Sequence, residues 1–195
     1  MKISSVETER LTRVFVCVSL PGRAADEVER FTGKLARFPG FRRVRREQFH
    51  ITLKFLGGAA PEQIQRLDTN LSRIGGLRPF EVTLSGAGAF PDMARASVLW
   101  LGVSAGGEKL LKLASSVERA SAASGFGTER REFHPHLTIA RARGGRASGG
   151  PPDELASVLA EAPSLSWTCA SFTLMRSVLA SGGAVYRPLG DYSFA

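Results

Sequence analysis

The sequence predicts an α+β fold, antiparallel sheets with helices outside, built from two similar lobes. Two observations predict it. Short strand patterns alternate with helical ones in the order β-α-β-α-β-β-α-β-α-β-β, with hairpins among them. A faint internal repeat is also present: HITLKFLG begins at His50 and HLTIARAR at His136, 86 residues later and close to half of the 195-residue chain.

The elements follow in order. Residues 11–20 are β-branched and apolar, a strand. Pro21 suits a first helical turn, and Val28, Phe31, Leu35 and Phe38 recur at helical spacing until Pro39-Gly40 stops them. Residues 49–56 alternate strictly: Phe49, Ile51, Leu53 and Phe55 on one face, His50, Thr52 and Lys54 on the other. Pro61 opens a helix whose stripe is Ile64, Leu67, Leu71 and Ile74.

Two strands, 80–84 and 98–103, are joined by a Gly- and Pro-containing loop at 86–92. Residues 108–124 form a helix with Leu111, Ala114, Val117 and Ala120 or Ser121 inward, and Gly125 ends it. Residues 134–139 repeat the strand signal, His136 and Thr138 on one face, Leu137 and Ile139 on the other. Residues 143–152 read as a mobile basic loop and 153–162 as a short helix. Two strands, 166–179 and 184–194, surround a Ser181-Gly182-Gly183 turn.

Composition narrows the classes. With 43% hydrophobic and 23% charged residues, the chain has material for a sizeable core and reads as one domain, 1–195. A formal net charge of +8, mostly arginine, favours polyanionic partners. Cys17 and Cys169 lie far apart in apolar stretches without metal-ligand spacing, so they read as core thiols. Residues 1–10 are polar and do not resemble a signal peptide. No stretch approaches the ~20 apolar residues of a membrane span. A cytoplasmic protein with no membrane partner is expected.

Three histidines carry the chemistry: His50, His134 and His136. Two begin a His-x-Thr pattern, and residues i and i+2 of a strand share a face. Each motif thus presents an imidazole beside a hydroxyl on a rigid element. Imidazoles titrate near pH 6.5, so one can serve as base and the other as acid, with a bell-shaped rate profile around neutrality. Threonine hydroxyls can donate to phosphate oxygens, and Arg141 can add a bidentate contact. Such a set performs phosphoryl transfer without a metal.

Other readings stay open. All three histidines could make a zinc site, since His134-x-His136 on a strand permits it; otherwise His134 is structural or a partner that supports the motif histidine from behind. Lys54 either helps hold phosphate or is solvated. Phe90 and Trp100 either stack on a base or pack in the core. Arg42, Arg43, Arg45 and Arg46 track a nucleic-acid backbone or form a solvated loop.

The segments FHITLKFLG and FHPHLTIARAR resemble the two signatures of the 2H phosphoesterase superfamily. The RNA 2′,3′-cyclic phosphodiesterase branch, also called 2′-5′ RNA ligase or LigT-like, is the nearer likeness. Phe90-Pro91 and Leu99-Trp100 fit it too, and the resemblance spans essentially the whole chain. It implies a bilobal α+β fold: two antiparallel sheets related by a pseudo-two-fold, lining a central cleft with helices outside. It implies hydrolysis of 2′,3′-cyclic phosphate ends of RNA to 2′-phosphates, with no cofactor and no metal. His50 would be the acid on the leaving 3′-oxygen and His136 the base on water. Thr52, Thr138 and Arg141 would hold the phosphate. Expected partners are RNAs with cyclic phosphate ends, tRNA fragments among them, or cyclic nucleotides; a monomer is expected, with reversible 2′-5′ ligation as a second reaction. The alternatives are a phosphodiesterase for small cyclic nucleotides or 2′-5′ oligoadenylate, and a non-catalytic RNA-binding module.

Overall fold

The computed structural model describes residues 11–145, 152–181 and 183–195. The reading of residues 1–10, the centre of the loop predicted at 143–152 and Gly182 of the predicted turn lie outside the described residues.

The described elements are β1 (Thr12–Ser19), α1 (Gly22–Gly33), β2 (Phe41–Arg43), β3 (His50–Ala59), α2 (Pro61–Leu71), β4 (Phe80–Phe90), β5 (Val98–Ala105), α3 (Gly107–Ala123), β6 (His136–Ala142), α4 (Pro152–Ala160), β7 (Leu165–Cys169), β8 (Ser171–Ala180) and β9 (Gly183–Ser193). The strands form one antiparallel sheet in the order β7-β4-β5-β6-β3-β1-β8-β9, and β2 pairs with β6 beside this path. The two expected sheets are the halves of this one. At the seam between β3 and β6 a single residue pair, Ile51–Leu137, joins them.

The repeat is visible in the connections. β1 and β3 flank α1, as β5 and β6 flank α3, and each unit delivers its motif histidine as the first residue of its second strand. The helices cross over. α1 lies against β6 and β7, whereas α3 lies against β3 and α2. Each half of the sheet is therefore covered by a helix from the other unit. The core is continuous across the seam. Val28 and Phe31 of α1, Leu110, Leu113 and Val117 of α3, and Ile51, Leu99, Leu101 and Leu137 of the sheet are all buried in it. Each such side chain contributes about 1.5–3 kcal/mol by leaving water.

Several elements differ from the sequence expectation. Leu110 rather than Leu111 is buried in α3, and Leu111 is 47% exposed. Steps of strictly three residues from Leu111 drift off a 3.6-residue period, whereas Leu110, Leu113, Ala114 and Val117 follow it. β4 continues to Phe90, with bulges between Thr83 and Ala87, so the predicted 86–92 loop is mostly strand. Gly88 has a packing reason to lie there, because a Cβ would collide with the Trp100 ring. The predicted strand 166–179 is two strands. It breaks at Ala170, β7 pairing with β4 in one half and β8 with β1 in the other. Arg42 and Arg43, read as loop, belong to the short strand β2.

Candidate active site

The two His-x-Thr motifs sit side by side at the seam. Ile51 and Leu137, the residues between each histidine and threonine, form the pair that joins β3 to β6, and both are fully buried. Alternation then places His50 and Thr52 together on the opposite face of β3, and His136 and Thr138 together on that of β6.

Beyond the threonines, strict alternation ends. β1 pairs Val16 with Lys54 and Cys17 with Thr52, so Leu53 is an extra residue. β5 pairs Leu99 with Ala140 and Trp100 with Thr138, so Ile139 is likewise extra. Each is a β-bulge three residues after its histidine, and each shifts the following side chains to the other face. In β6 the shift brings Arg141 onto the face of His136 and Thr138. In β3 it brings Phe55 there, 69% exposed and 6.0 Å from the Phe15 ring. Phe55 and Arg141 are equivalent positions of the repeat, so the two halves differ in charge at the site.

The bulge also corrects the reading of Lys54. Its ammonium points away from the motif face and is buried. It donates to Glu118 Oε2 on α3 (2.6 Å) and to the Gly127 carbonyl (2.9 Å). It neither faces phosphate nor sits in solvent.

Both imidazoles are fixed in the same way. His50 Nδ1 lies 2.7 Å from the Gln48 carbonyl, and His136 Nδ1 lies 2.8 Å from the His134 carbonyl. A carbonyl only accepts, so each Nδ1 carries the proton, and in the neutral ring Nε2 is the free basic nitrogen. Gln48 is itself held, its Nε2 donating to the Ala184 carbonyl (2.6 Å). Aromatic rings enclose each imidazole: Phe15 at 4.9 Å and Tyr186 at 5.4 Å for His50, Phe90 at 5.1 Å and Trp100 at 6.4 Å for His136. Phe90 and Trp100 thus pack around a motif histidine.

Burial sets the charge state. The His50 pKa is pushed down to about 4, chiefly by burial, with the Arg141 cation and His136 adding to the effect. That of His136 is also lowered, again first by burial and then by Arg141 and His134. Both rings therefore favour the neutral form at neutral pH.

Of the predicted residues, His50, Thr52, Thr138 and Arg141 line one cavity of about 260 Å³, shared with Gln48, Tyr186 and the arginines of the β2 region. His136 is not among the lining residues; it stands on the same strand face two residues before Thr138. His134 does not join them. Its side chain is 68% exposed and 3.8 Å from Glu132, and its carbonyl alone serves the site. Among the described residues, no three His, Cys, Asp or Glu side chains come together as a metal-ligand group. Sequence reasoning missed Phe15, Gln48 and Tyr186. Gln48 carried a usable signal, two residues before a motif histidine, as His134 is before the other. Phe15 and Tyr186 come from distant strands and carried none.

Comparisons with known proteins show the family and the fold. A family model described as the 2′-5′ RNA ligase superfamily matches residues 20–179. An RNA 2′,3′-cyclic phosphodiesterase of Archaeoglobus fulgidus is 32% identical over 180 residues, which cover 91% of this chain and 97% of that protein. One from Aeropyrum pernix is 35% identical over 152 residues, 76% of this chain and 84% of that protein. The crystal structure of apo E. coli LigT superposes with a TM-score of 0.76 at 27% identity, covering 95% of this chain and 99% of that one.

Proposed function

Because the chain belongs to the 2′-5′ RNA ligase superfamily, we propose that it is an RNA 2′,3′-cyclic phosphodiesterase, opening cyclic phosphate ends to 2′-phosphates. The observation that carries the reading is the pair of imidazoles, each locked through Nδ1 to a carbonyl two residues back, beside two threonines and a guanidinium.

In the reaction, His136 Nε2 takes a proton from water as the water oxygen bonds to phosphorus. The P–O3′ bond breaks, and His50 Nε2 gives a proton to the departing 3′-oxygen. The products are a 2′-phosphate and a 3′-hydroxyl, and the two rings exchange protons with solvent to reset. Thr52 and Thr138 donate to the non-bridging oxygens, and Arg141 balances the charge that develops there. His50 as acid must be protonated when the substrate is bound. In the free protein burial and Arg141 oppose this. A bound phosphodiester anion offsets the Arg141 charge and favours the imidazolium. Ligation is the same displacement with an RNA 5′-hydroxyl in place of water: the P–O5′ bond forms, the P–O3′ bond breaks, and a 2′-5′ diester and a 3′-hydroxyl result.

We place this activity in the cytoplasm, in a monomer acting on RNA fragments, those of tRNA included. The two free, buried cysteines fit a reducing compartment, and among the described residues no helix is long and apolar enough to cross a membrane. The test is product analysis on RNA ending in a 2′,3′-cyclic phosphate. A 2′-phosphate formed equally well with chelator is expected. A 3′-phosphate, or activity lost in EDTA and restored by zinc, overturns the mechanism. Binding without turnover leaves the RNA-binding-module reading in its place.

A further inference from the structure

A second and larger cavity, about 780 Å³, opens on the other side of β2, between that strand and α1. Five arginines line it, Arg42, Arg43, Arg45, Arg46 and Arg143, against two carboxylates, Glu29 and Glu47. Residues 42–45 also line the catalytic cavity, so the two spaces share one wall.

Four of the five divide into two kinds. Arg46 is held in place, its Nε donating to Asp26 Oδ1 (2.6 Å) and a terminal nitrogen to the Gly22 carbonyl (3.2 Å). Arg143 is anchored by Nε on the Pro39 carbonyl (3.1 Å), and no carboxylate pairs with it among the described residues. Arg42 and Arg43 are exposed and likewise form no ion pair among the described residues. Within β2, Arg42 is in register with Arg141 and Arg43 with Ala140. Arg42 therefore faces the catalytic side and Arg43 the groove side of one narrow strand. Two guanidiniums directly opposite on neighbouring strands repel each other, and an anion between them relieves the repulsion.

We propose that this groove is the track for the RNA strand upstream of its cyclic end. The proposal rests on the reading of the protein as an RNA 2′,3′-cyclic phosphodiesterase. With the terminal phosphate beside the histidines, the next phosphate back meets Arg42. The chain then passes over β2 and its following phosphates meet Arg43 and Arg143. Planar guanidinium forks suit phosphate oxygens and read no base, so the track favours oligonucleotides over mononucleotides without sequence preference.

The test compares wild type with Arg43→Gln/Arg143→Gln on a cyclic-phosphate oligonucleotide and on a cyclic mononucleotide. The ratio of kcat/KM for the two substrates should fall about tenfold or more in the variant. The slope of log kcat/KM against log salt for the oligonucleotide should flatten by roughly 1.4, about 0.7 per lost single-strand phosphate contact. An unchanged ratio and slope overturn the groove. Should loss of the Pro39 anchor unfold the double variant, Arg43→Gln alone breaks no side-chain hydrogen bond among the described residues and should give about half the flattening in slope. Anisotropy with an oligonucleotide ending in 2′-phosphate keeps the two proposals apart. Weaker, less salt-sensitive binding by the variants supports the groove even if wild type turns over neither substrate, a result that would sink only the hydrolase reading.

Discussion

Both motif imidazoles titrate below the ordinary histidine value, and burial is the first cause for each. A reaction needing one ring charged and one neutral has its kcat/KM maximum between the two apparent values of the pair. The maximum is therefore expected on the acid side of pH 6.5, toward the value of about 4 for His50, rather than at the neutrality inferred from free histidine. Under saturating RNA the phosphate charge raises both values, so the kcat profile should lie at higher pH than kcat/KM. A kcat/KM maximum at or above pH 7, with chemistry rate-limiting, would contradict this. The roles separate with a substrate whose 3′-oxygen is sulfur, since a leaving thiolate hardly needs a proton. His50→Ala should lose about 10²–10⁴-fold on the oxygen substrate and far less on the sulfur one. His136→Ala should lose activity on both, because water still needs a base. Rescue of His136→Ala instead would reverse the assignment. The motif side chains were legible because spacing alone puts His and Thr on one face. Arg141 was read from its nearness to His136 and its phosphate-binding chemistry, with the family resemblance behind it, whereas plain alternation would have turned it to the wrong side.

At the scale of elements, the Lys54–Glu118 pair ties the first motif strand to α3 and to the segment leading into β6. Glu118 Oε1 accepts from the Glu129 amide (3.1 Å) while Oε2 accepts from Lys54, and Lys54 also holds the Gly127 carbonyl. The Lys54 side chain is 5% exposed and that of Glu118 is 30%. Glu118→Ala strands a buried ammonium, whereas Lys54→Met leaves a carboxylate that still reaches water. Glu118→Ala should thus cost roughly 2–4 kcal/mol, and Lys54→Met distinctly less, in urea titrations. Equal costs would mean that the ammonium finds water after all. Strong periodicity made β1, β3, α2 and β6 readable from sequence. The break at Ala170, the three-residue β2 and the bulges were not, because each depends on partners far away in the chain.

The whole molecule is interleaved rather than divided. The two units were legible as a repeat, but the exchange of helices and the path of the C-terminal strands were not, since no local signal marks which half a strand joins. β7 completes one half of the sheet and β8, one residue later, joins the other. α1 and α3 each cover the half built around the opposite motif. Neither half keeps its core if the other opens, so unfolding should be one cooperative transition. Both tryptophans, Trp100 on β5 and Trp167 on β7, report on the same half. Their fluorescence and the far-ultraviolet dichroism of the whole chain should give superimposable urea curves. A fluorescence transition that precedes the dichroism would show the halves melting separately.

The paired bulges make the site sensitive to chain length as well as to side-chain identity. Leu53 and Ile139 are buried and touch no reacting group, and an aliphatic exchange at either would ordinarily be mild. One residue inserted between Ala140 and Arg141, with the bulge kept, would turn Arg141 toward the helices and leave both His-x-Thr sequences intact. Insertion of a single residue would disarm the anion site with every functional side chain still in the chain. Deletion of Ile139 would instead remove the bulge and keep Arg141 on its face, so within these two strands the count of residues, bulge included, is itself part of the catalytic apparatus.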